Sequence, residues 1–205
     1  MPRQHRLLVP GEFYQLICRG NNKMKLFIDR EDFIFYLSLV NNYFKTTDIK
    51  ISYYVLMSNH VHLTVRAGSS ESLSLVMQKI NQSYSRYWHR RYEFVGHIWQ
   101  GRFKSLLLSD DAYLLTSGIY VELNPVRAGM VAIPEDYQWS SYAAHAFGKK
   151  DNIVDIFYDP AYLALGTDQH SREIAFRALV KMWMNYKKVP GTKQAFGARH
   201  QGRKG

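Results

Sequence analysis

The sequence is poor in features that mark whole classes of protein. It contains one cysteine, Cys18, so no intrachain disulfide can form, and a reducing compartment is expected. No apolar stretch approaches the ~18 residues that span a bilayer, and the first residues lack the long apolar region of a signal peptide. No internal repeat is visible. These absences predict a cytoplasmic protein without a membrane partner, in which Cys18 is a small buried side chain.

Acidic residues are also scarce. The 205 residues include 17 Asp and Glu against 27 Lys and Arg, which gives a formal net charge of +10. Such a protein attracts polyanions, and nucleic acid is the first candidate among them. The 15 Tyr, 11 Phe and 4 Trp can stack on bases where they lie beside basic residues, although most large rings serve to fill a core.

The spacing of apolar residues predicts an alternation of strands and helices. Period-2 runs indicate strands and period-3.6 runs indicate helices, in the order strand 13–19, helix 29–44, strands 49–57 and 61–67, helix 73–92, strand 102–108 and helix 113–123. This β-α-β-β-α-β order predicts an α+β, ferredoxin-like antiparallel sheet with helices on one face. We expect residues 1–142 to form the main domain, residues 143–188 a helical C-terminal extension of short helices, and residues 189–205 a basic, disordered tail.

Two histidines lie two residues apart where the chain enters the predicted third strand, at His60 and His62. Residues i and i+2 of a strand point to the same face, so the two imidazoles could share one metal ion. Such an ion could also bind phosphate oxygens and water, as phosphoryl transfer requires. In a chain with 8 histidines this spacing also arises by chance, and a structural or incidental role stays open.

Tyr120 and Asn124 are four residues apart on the last predicted helix, so they share a face. The phenol of Tyr120 would be a nucleophile, provided that a metal, a base or the substrate helps it to lose its proton. The amide oxygen of Asn124 would be a third metal ligand or an orienting group. The alternatives are a core role for Tyr120 and a helix C-cap for Asn124, because Pro125 follows.

Five segments of this sequence together resemble the REP-associated tyrosine transposases, a branch of the single-tyrosine HUH transposases. They are Arg19-Gly-Asn-Asn22, Met57-Ser-Asn-His-Val-His62, Trp99-Gln-Gly-Arg-Phe-Lys104, Tyr120-Val-Glu-Leu-Asn-Pro-Val-Arg-Ala-Gly129 and Trp139-Ser-Ser-Tyr142. The resemblance covers about residues 13–139. It implies that residues 1–142 form an HUH catalytic domain, that His60, His62 and Asn124 hold Mg²⁺ or Mn²⁺, and that Tyr120 attacks single-stranded DNA. The implied product is a 5′-phosphotyrosine link beside a free 3′-hydroxyl.

The same resemblance implies a substrate, a hairpin from a repetitive extragenic palindrome flanked by a short guide tetranucleotide, and hence a nucleoid-associated protein. Basic and aromatic residues that could contact this DNA lie along the chain. The candidates are Arg3, Arg6, Arg19, Arg86, Arg90, Arg91, Trp99, Arg102, Lys104 and Arg127. Each arginine could equally be a solvated surface residue, and Trp99 a core anchor.

Two other functions stay open on the sequence. One is a domesticated hairpin-binding protein with little turnover, which the intact His60, His62, Tyr120 and Asn124 disfavour. The other is an RNA-binding protein, which would leave those four residues unexplained. The oligomeric state, monomer or homodimer, depends on whether residues 109–123 fold back on their own sheet.

Overall fold

A computed structural model describes residues 8–68 and 70–186. Arg3 and Arg6, residues 187 and 188 and the basic segment 189–205 lie outside these residues. The strands are β1 (Phe13–Arg19), β2 (Lys50–Met57), β3 (His60–Arg66) and β4 (Lys104–Leu108). The helices are α1 (Arg30–Phe44), α2 (Ser70–Tyr92), α3 (Asp111–Glu122), α4 (Asn124–Arg127), α5 (Tyr142–Phe147), α6 (Pro160–Leu163) and α7 (Gln169–Tyr186).

The four strands form one antiparallel sheet in the order β2-β3-β1-β4. The chain order with this strand order is the ferredoxin-like arrangement, and the predicted fold class is confirmed. The two helices of the predicted unit, α1 and α2, pack on one face of the sheet, as expected. Their shared core contains Leu16, Cys18, Val61 and Leu63, so the predicted burial of Cys18 is confirmed.

The second face of the sheet is also covered. Helix α3 and the C-terminal helices α5 to α7 pack there around a second core, which includes Tyr53, Val55, Ile119 and Phe176. The extension was predicted to contain only short helices. The structure differs in one respect, because α7 is a single helix of 18 residues. Phe176 and Val180, one turn apart on α7, are both buried in the second core, and this packing holds the long helix together.

An aspartate N-cap begins both α1 and α3. Asp29 accepts hydrogen bonds from the backbone amides of Glu31 and Asp32, and the Asp32 side chain bonds back to the Asp29 amide, which completes a capping box at α1. Asp110 accepts a 2.7 Å hydrogen bond from the Tyr113 amide and so begins α3. Asp110 thereby fixes where the helix that carries Tyr120 begins.

The two edges of the sheet differ. Backbone hydrogen bonds join β2 to the segment around Ser140, with Val55 bridged to Ser140 and Ile51 bridged to Val154. At the opposite edge, β4 pairs only with β1 among the described strands. Its Leu106 and Leu107 are 42% and 44% exposed.

Candidate active site

His60 and His62 lie on β3 and point away from the α1 and α2 core, toward the face that α3 covers. Val61, between them, is buried among the residues of that core, so strand alternation places both imidazoles on the second face. Their ring centroids are 4.9 Å apart, with an interplanar angle of 75°. The predicted convergence of the two side chains is therefore present in the fold.

A side-chain amide lies beside the Nδ1 atom of each ring. The Nδ1 of His60 is 2.6 Å from Oδ1 of Asn59, which makes Nδ1 the protonated nitrogen and leaves Nε2 with a lone pair. The Nδ1 of His62 is 3.3 Å from Nε2 of Gln15. A flip of the Gln15 carboxamide would exchange its nitrogen and oxygen, so that the oxygen lies next to Nδ1 of His62. Nδ1 would then carry the proton and donate to that oxygen, and Nε2 of His62 would have a lone pair for a metal ion.

Burial keeps both imidazoles neutral. Burial, followed by the charge of Arg19, lowers the pKa of His60 to about 4. Burial also lowers the pKa of His62 to about 3, with further contributions from His60, Arg19 and Arg127. At neutral pH both rings therefore offer lone pairs, which is the protonation state that a metal ligand needs.

Tyr120 lies near the end of α3, under a cation. The guanidinium of Arg127 is 3.9 Å from the centroid of the Tyr120 ring. The charge of Arg127 also makes the smallest of the contributions to the lowered pKa of His62. Arg127 is thus a cation whose field acts on both the phenol and the histidine pair.

Asn124 is the first residue of α4, just after α3. The C-cap of α3 is Leu123, so the C-cap position considered for Asn124 is wrong. The Asn124 side chain nevertheless bonds to the end of α3, since its Nδ2 donates to the carbonyls of Tyr120 at 3.2 Å and Val121 at 3.1 Å. Both bonds use the amide nitrogen, so the oxygen is the atom that Asn124 can offer to an ion.

The two histidine nitrogens and an amide oxygen suit a divalent ion that keeps coordination positions open for water or substrate. No group of three or more His, Cys, Asp or Glu with metal-binding geometry occurs within residues 8–68 and 70–186. A site on His60 and His62 therefore needs an oxygen of another kind, and an amide, water or phosphate oxygen would serve. Two neutral imidazoles with an amide oxygen fit such an ion.

A family model described as IS200-like transposase matches residues 10–124, which is more than half of the chain. The chain belongs to the IS200-like transposase family. Membership gives the protein the role of a DNA transposase, which cuts and rejoins DNA. The match spans His60, His62, Tyr120 and Asn124.

Solved structures support the fold of this IS200-like transposase. A REP-associated tyrosine transposase bound to a REP hairpin matches with a TM-score of 0.61 at 16% identity, over 76% of this chain and 93% of that one. A protein of Deinococcus radiodurans R1 described as a transposase gives 0.41 at 14% identity, over 57% and 93%. The tRNA(His) guanylyltransferase of Saccharomyces cerevisiae gives 0.43 at 11%, over 92% and 85%. The last two scores are too low to support an argument, and no curated protein matches the chain.

The tyrosine helix of this transposase is held against its own sheet. A Cβ atom added to Gly118 would lie 2.4 Å from the Tyr53 ring, so only glycine lets α3 approach β2 this closely. About one helical turn later, the carboxylate of Glu122 accepts hydrogen bonds from the Ser141 hydroxyl and from Nδ1 of His145, the latter at 2.7 Å. These three side chains are fully buried.

The DNA-binding candidates of the transposase separate into two groups. Arg19, Lys104 and Arg127 are near the histidine face, because Arg19 pairs with His60 across the strands and Lys104 pairs with Ile17. Arg86 and Arg90 are exposed on α2, on the other face. Between the two groups, Trp99 and Arg102 belong to the segment that leads from α2 into β4.

Arg91 and Trp99 have partners that join α2 to neighbouring segments. Arg91 forms ion pairs with Asp29, Glu31 and Asp32 at the start of α1. Trp99 donates from Nε1 to the Asn81 carbonyl at 3.0 Å. Both side chains therefore help to hold α2 in place.

The roles of Gln15, Asn59, Gly118 and the buried Glu122–His145 pair were not predicted from the sequence. The signal for Asn59 was its position next to His60. Gln15 could be found only through the strand register, which sets Ile17 opposite His62 and Gln15 opposite Thr64.

Among the described residues, no helix has the length and apolarity to cross a membrane.

Proposed function

We propose that the protein is a metal-dependent single-stranded DNA endonuclease and strand transferase that acts on hairpins of the REP type through a 5′-phosphotyrosine at Tyr120. The observation that carries the proposal is that His60 and His62 lie side by side as neutral imidazoles on one face of the sheet. One cation, Arg127, lies over the Tyr120 ring and contributes to the lowered pKa of His62, in a member of a transposase family.

Each residue of the site has a role in this chemistry. His60, His62 and the Asn124 oxygen would hold Mg²⁺ or Mn²⁺, which when bound would polarise the scissile phosphate. The Tyr120 oxygen attacks phosphorus, so a Tyr–O–P bond forms and the bond from phosphorus to the 3′ oxygen breaks. Arg127 places positive charge beside the attacking phenol, where the phosphate arrives. Attack by a 3′-hydroxyl on the phosphotyrosine reverses the reaction and rejoins the strand.

The substrate assignment rests on charge and fold. The formal net charge of +10 favours a polyanion, and the REP-associated transposase that shares this fold is bound to a REP hairpin. Arg3, Arg6, Arg19, Arg86, Arg90, Arg91, Trp99, Arg102, Lys104 and Arg127 remain our candidates for contacts with the DNA. We propose that the enzyme is cytoplasmic and nucleoid-associated, and that it acts as a monomer or a homodimer.

The test is to incubate a labelled single-stranded hairpin with the protein and Mg²⁺ or Mn²⁺, and to look for a labelled, denaturation-resistant protein adduct. Tyr120→Phe should form none, while Tyr158→Phe, a control at an exposed tyrosine, should react like the wild type. His62→Ala should bind the hairpin but not cut it, because phosphate contacts provide most of the affinity. An adduct on Tyr120→Phe would refute the nucleophile, and binding without any adduct would favour a domesticated hairpin-binding protein.

A further inference from the structure

The turn that follows β1 has an unusual backbone. Residues 20–24, which we call the 20–24 turn, are closed by a hydrogen bond from the Lys23 amide to the Gly20 carbonyl at 3.1 Å. Asn22 and Lys23 have φ angles of 47° and 60°, in the left-handed region that residues other than glycine seldom adopt. Two such residues in a row cost free energy, and a fold keeps them where the conformation is needed.

The 20–24 turn is bonded to the connection between β2 and β3. The Gly20 amide donates to the Asn59 carbonyl at 2.8 Å, and just after the turn the Leu26 amide donates to the Ser58 carbonyl at 2.7 Å. Leu26 is buried in the core under α1 and α2. A Cβ atom on Gly20 would lie 2.4 Å from the Met24 carbonyl oxygen, so only glycine allows the turn to close this tightly. The turn is therefore held in one place relative to the residues that precede the histidine pair.

The side chain of Asn59 joins this turn to the first histidine. Its Nδ2 donates to the Lys23 carbonyl at 3.2 Å, and its Oδ1 is 2.6 Å from Nδ1 of His60. A carbonyl oxygen can only accept a hydrogen bond, so the Lys23 carbonyl holds Nδ2 on its own side and turns Oδ1 toward the imidazole. Since Oδ1 also can only accept, Nδ1 of His60 must carry the ring proton.

The other orientation of this amide would have the opposite effect on the ring. Without the Lys23 carbonyl, the Asn59 carboxamide could flip and present Nδ2 to His60. Nδ1 would then accept, and the ring proton would move to Nε2, the nitrogen that a metal ion needs unprotonated. One backbone carbonyl, 36 residues away from Asn59 in the sequence, thus selects the tautomer of a proposed metal ligand.

We infer that the 20–24 turn is a positioning element of the proposed metal site, in which the Lys23 carbonyl selects the Nδ1-protonated tautomer of His60 through the Asn59 side chain. The inference rests on the proposed function for the role of the histidines as ligands. The left-handed backbone at Lys23 sets the direction of its carbonyl, so the costly conformation of the turn has a use. The segment Arg19-Gly-Asn-Asn22 thereby acts on the site through its backbone.

The experiment reads the tautomer directly in the metal-free protein. Long-range proton–nitrogen correlation spectra of protein with isotope-labelled histidine distinguish the protonated from the unprotonated ring nitrogen, and the His60→Ala spectrum identifies the His60 signals. The spectra are recorded at about pH 8, above the ordinary histidine pKa of about 6.5, so that the rings are neutral. Wild-type His60 should be protonated at Nδ1.

Two substitutions at one position separate the carbonyl from the side chain. Lys23→Pro forces φ to about −65° and so redirects the carbonyl, and His60 should change to the Nε2-protonated tautomer. Lys23→Gly removes the same positive charge but suits the left-handed backbone, and it should keep the wild-type tautomer. Mn²⁺ affinity, measured by titration calorimetry, should fall by about 10–100-fold for Lys23→Pro and stay unchanged for Lys23→Gly.

A change at Asn59 provides a rescue. Asn59→Asp places a carboxylate beside Nδ1 of His60, and a carboxylate accepts in either orientation and cannot donate. The double variant Asn59→Asp with Lys23→Pro should therefore regain the Nδ1-protonated tautomer, which would not happen if Lys23→Pro only damaged the structure. Gly20→Ala repeats the test if Lys23→Pro does not fold, because the added Cβ displaces the turn from its other end, and the same change of tautomer is expected.

Several results would overturn the inference. They are a wild-type His60 protonated at Nε2, an unchanged tautomer in the folded turn variant, the same change in Lys23→Gly, a double variant without rescue, and unchanged Mn²⁺ affinity despite a changed tautomer.

The proposed function fails separately, because the tautomer is measured without metal or DNA. A protein in which Lys23→Pro changes the tautomer, but whose wild type neither binds Mn²⁺ nor forms an adduct at Tyr120, refutes the proposed chemistry alone. A wild type that forms the adduct, with a tautomer that is indifferent to the turn, refutes the positioning role alone.

Discussion

Each imidazole of the histidine pair depends on a neighbouring amide for its orientation. Asn59 holds Nδ1 of His60, and Gln15 is next to Nδ1 of His62. Such outer partners fix which ring nitrogen faces the ion, and their loss typically weakens metal binding by 10–100-fold.

Gln15→Met should therefore reduce Mn²⁺ affinity by about 10–100-fold, since it keeps the buried volume but removes the amide. Titration calorimetry measures the affinity. Leu106→Met, a change at the cross-strand neighbour of Gln15, should leave it unaltered. Unchanged Mn²⁺ binding by Gln15→Met would show that the amide does not orient His62.

Gly118 is the residue on which the position of the tyrosine helix depends. Gly118→Ala should destabilise the protein by about 1–3 kcal/mol through overpacking against Tyr53, although alanine favours a helix by about 1 kcal/mol. Denaturant unfolding gives the stability, and the rate of adduct formation reports the displacement of Tyr120. Thr116→Ala, on the same helix, is the control for helix propensity, and a stabilised, fully active Gly118→Ala would contradict the close packing.

At the scale of elements, α3 and α5 are joined by a buried ion pair. Glu122 and His145 are both fully buried, at 2.7 Å. Burial opposes protonation of His145, but the Glu122 carboxylate, with smaller contributions from Asp159 and the Ser141 carbonyl, outweighs it, so the His145 pKa is raised above its ordinary value. Tyr53 of β2 stacks on the His145 ring with centroids 4.4 Å apart, so the pair fixes the tyrosine helix to both the sheet and the extension.

Breaking this pair from one side should cost about 3–5 kcal/mol, because one charge stays buried without its partner. We expect Glu122→Met and His145→Leu each to lose stability of that order in urea unfolding. The double variant should lose much less than the sum, since it buries no charge. Additive losses would mean that the two side chains are not coupled.

The pH dependence of stability follows from the raised pKa of His145. A group whose pKa is raised on folding stabilises the protein fully below its unfolded pKa, about 6.5 for histidine, and this contribution is lost as pH rises through the folded pKa. The stability advantage of the wild type over His145→Leu should thus decline above pH 6.5. Urea unfolding of both proteins at several pH values measures it, and an advantage that grows with pH would contradict the sign.

The helices and strands of this chain follow from local sequence. The position of α3 on the sheet does not, because it depends on contacts between residues far apart in the sequence. Asp29 and Asp110 cap helices within three residues of themselves, and alternation around Val61 sets the histidines on one face, so these features could be predicted. Glu122 and His145 are 23 residues apart, and Gln15 is 47 residues from His62. Their contacts depend on the packing of several elements and on strand register, which apolar spacing does not specify.

At the scale of the whole molecule, α3 packs on the sheet of its own chain. The proposed nucleophile and the proposed metal ligands of one site then come from one chain. A mixture of Tyr120→Phe and His62→Ala should accordingly form no adduct, because neither chain holds a complete site. Restored cleavage in the mixture, measured with the labelled hairpin, would show that the tyrosine helices are exchanged between two copies.

The unequal edges of the sheet affect how the protein behaves in concentrated solution. The β2 edge already has backbone partners at Val55 and Ile51, so a foreign strand cannot extend the sheet there. The β4 edge presents Leu106 and Leu107 to solvent, with Lys104 at its start as the charged residue that discourages strand addition. Among the described strands, β4 is therefore the edge at which strand-to-strand self-association of this transposase would begin.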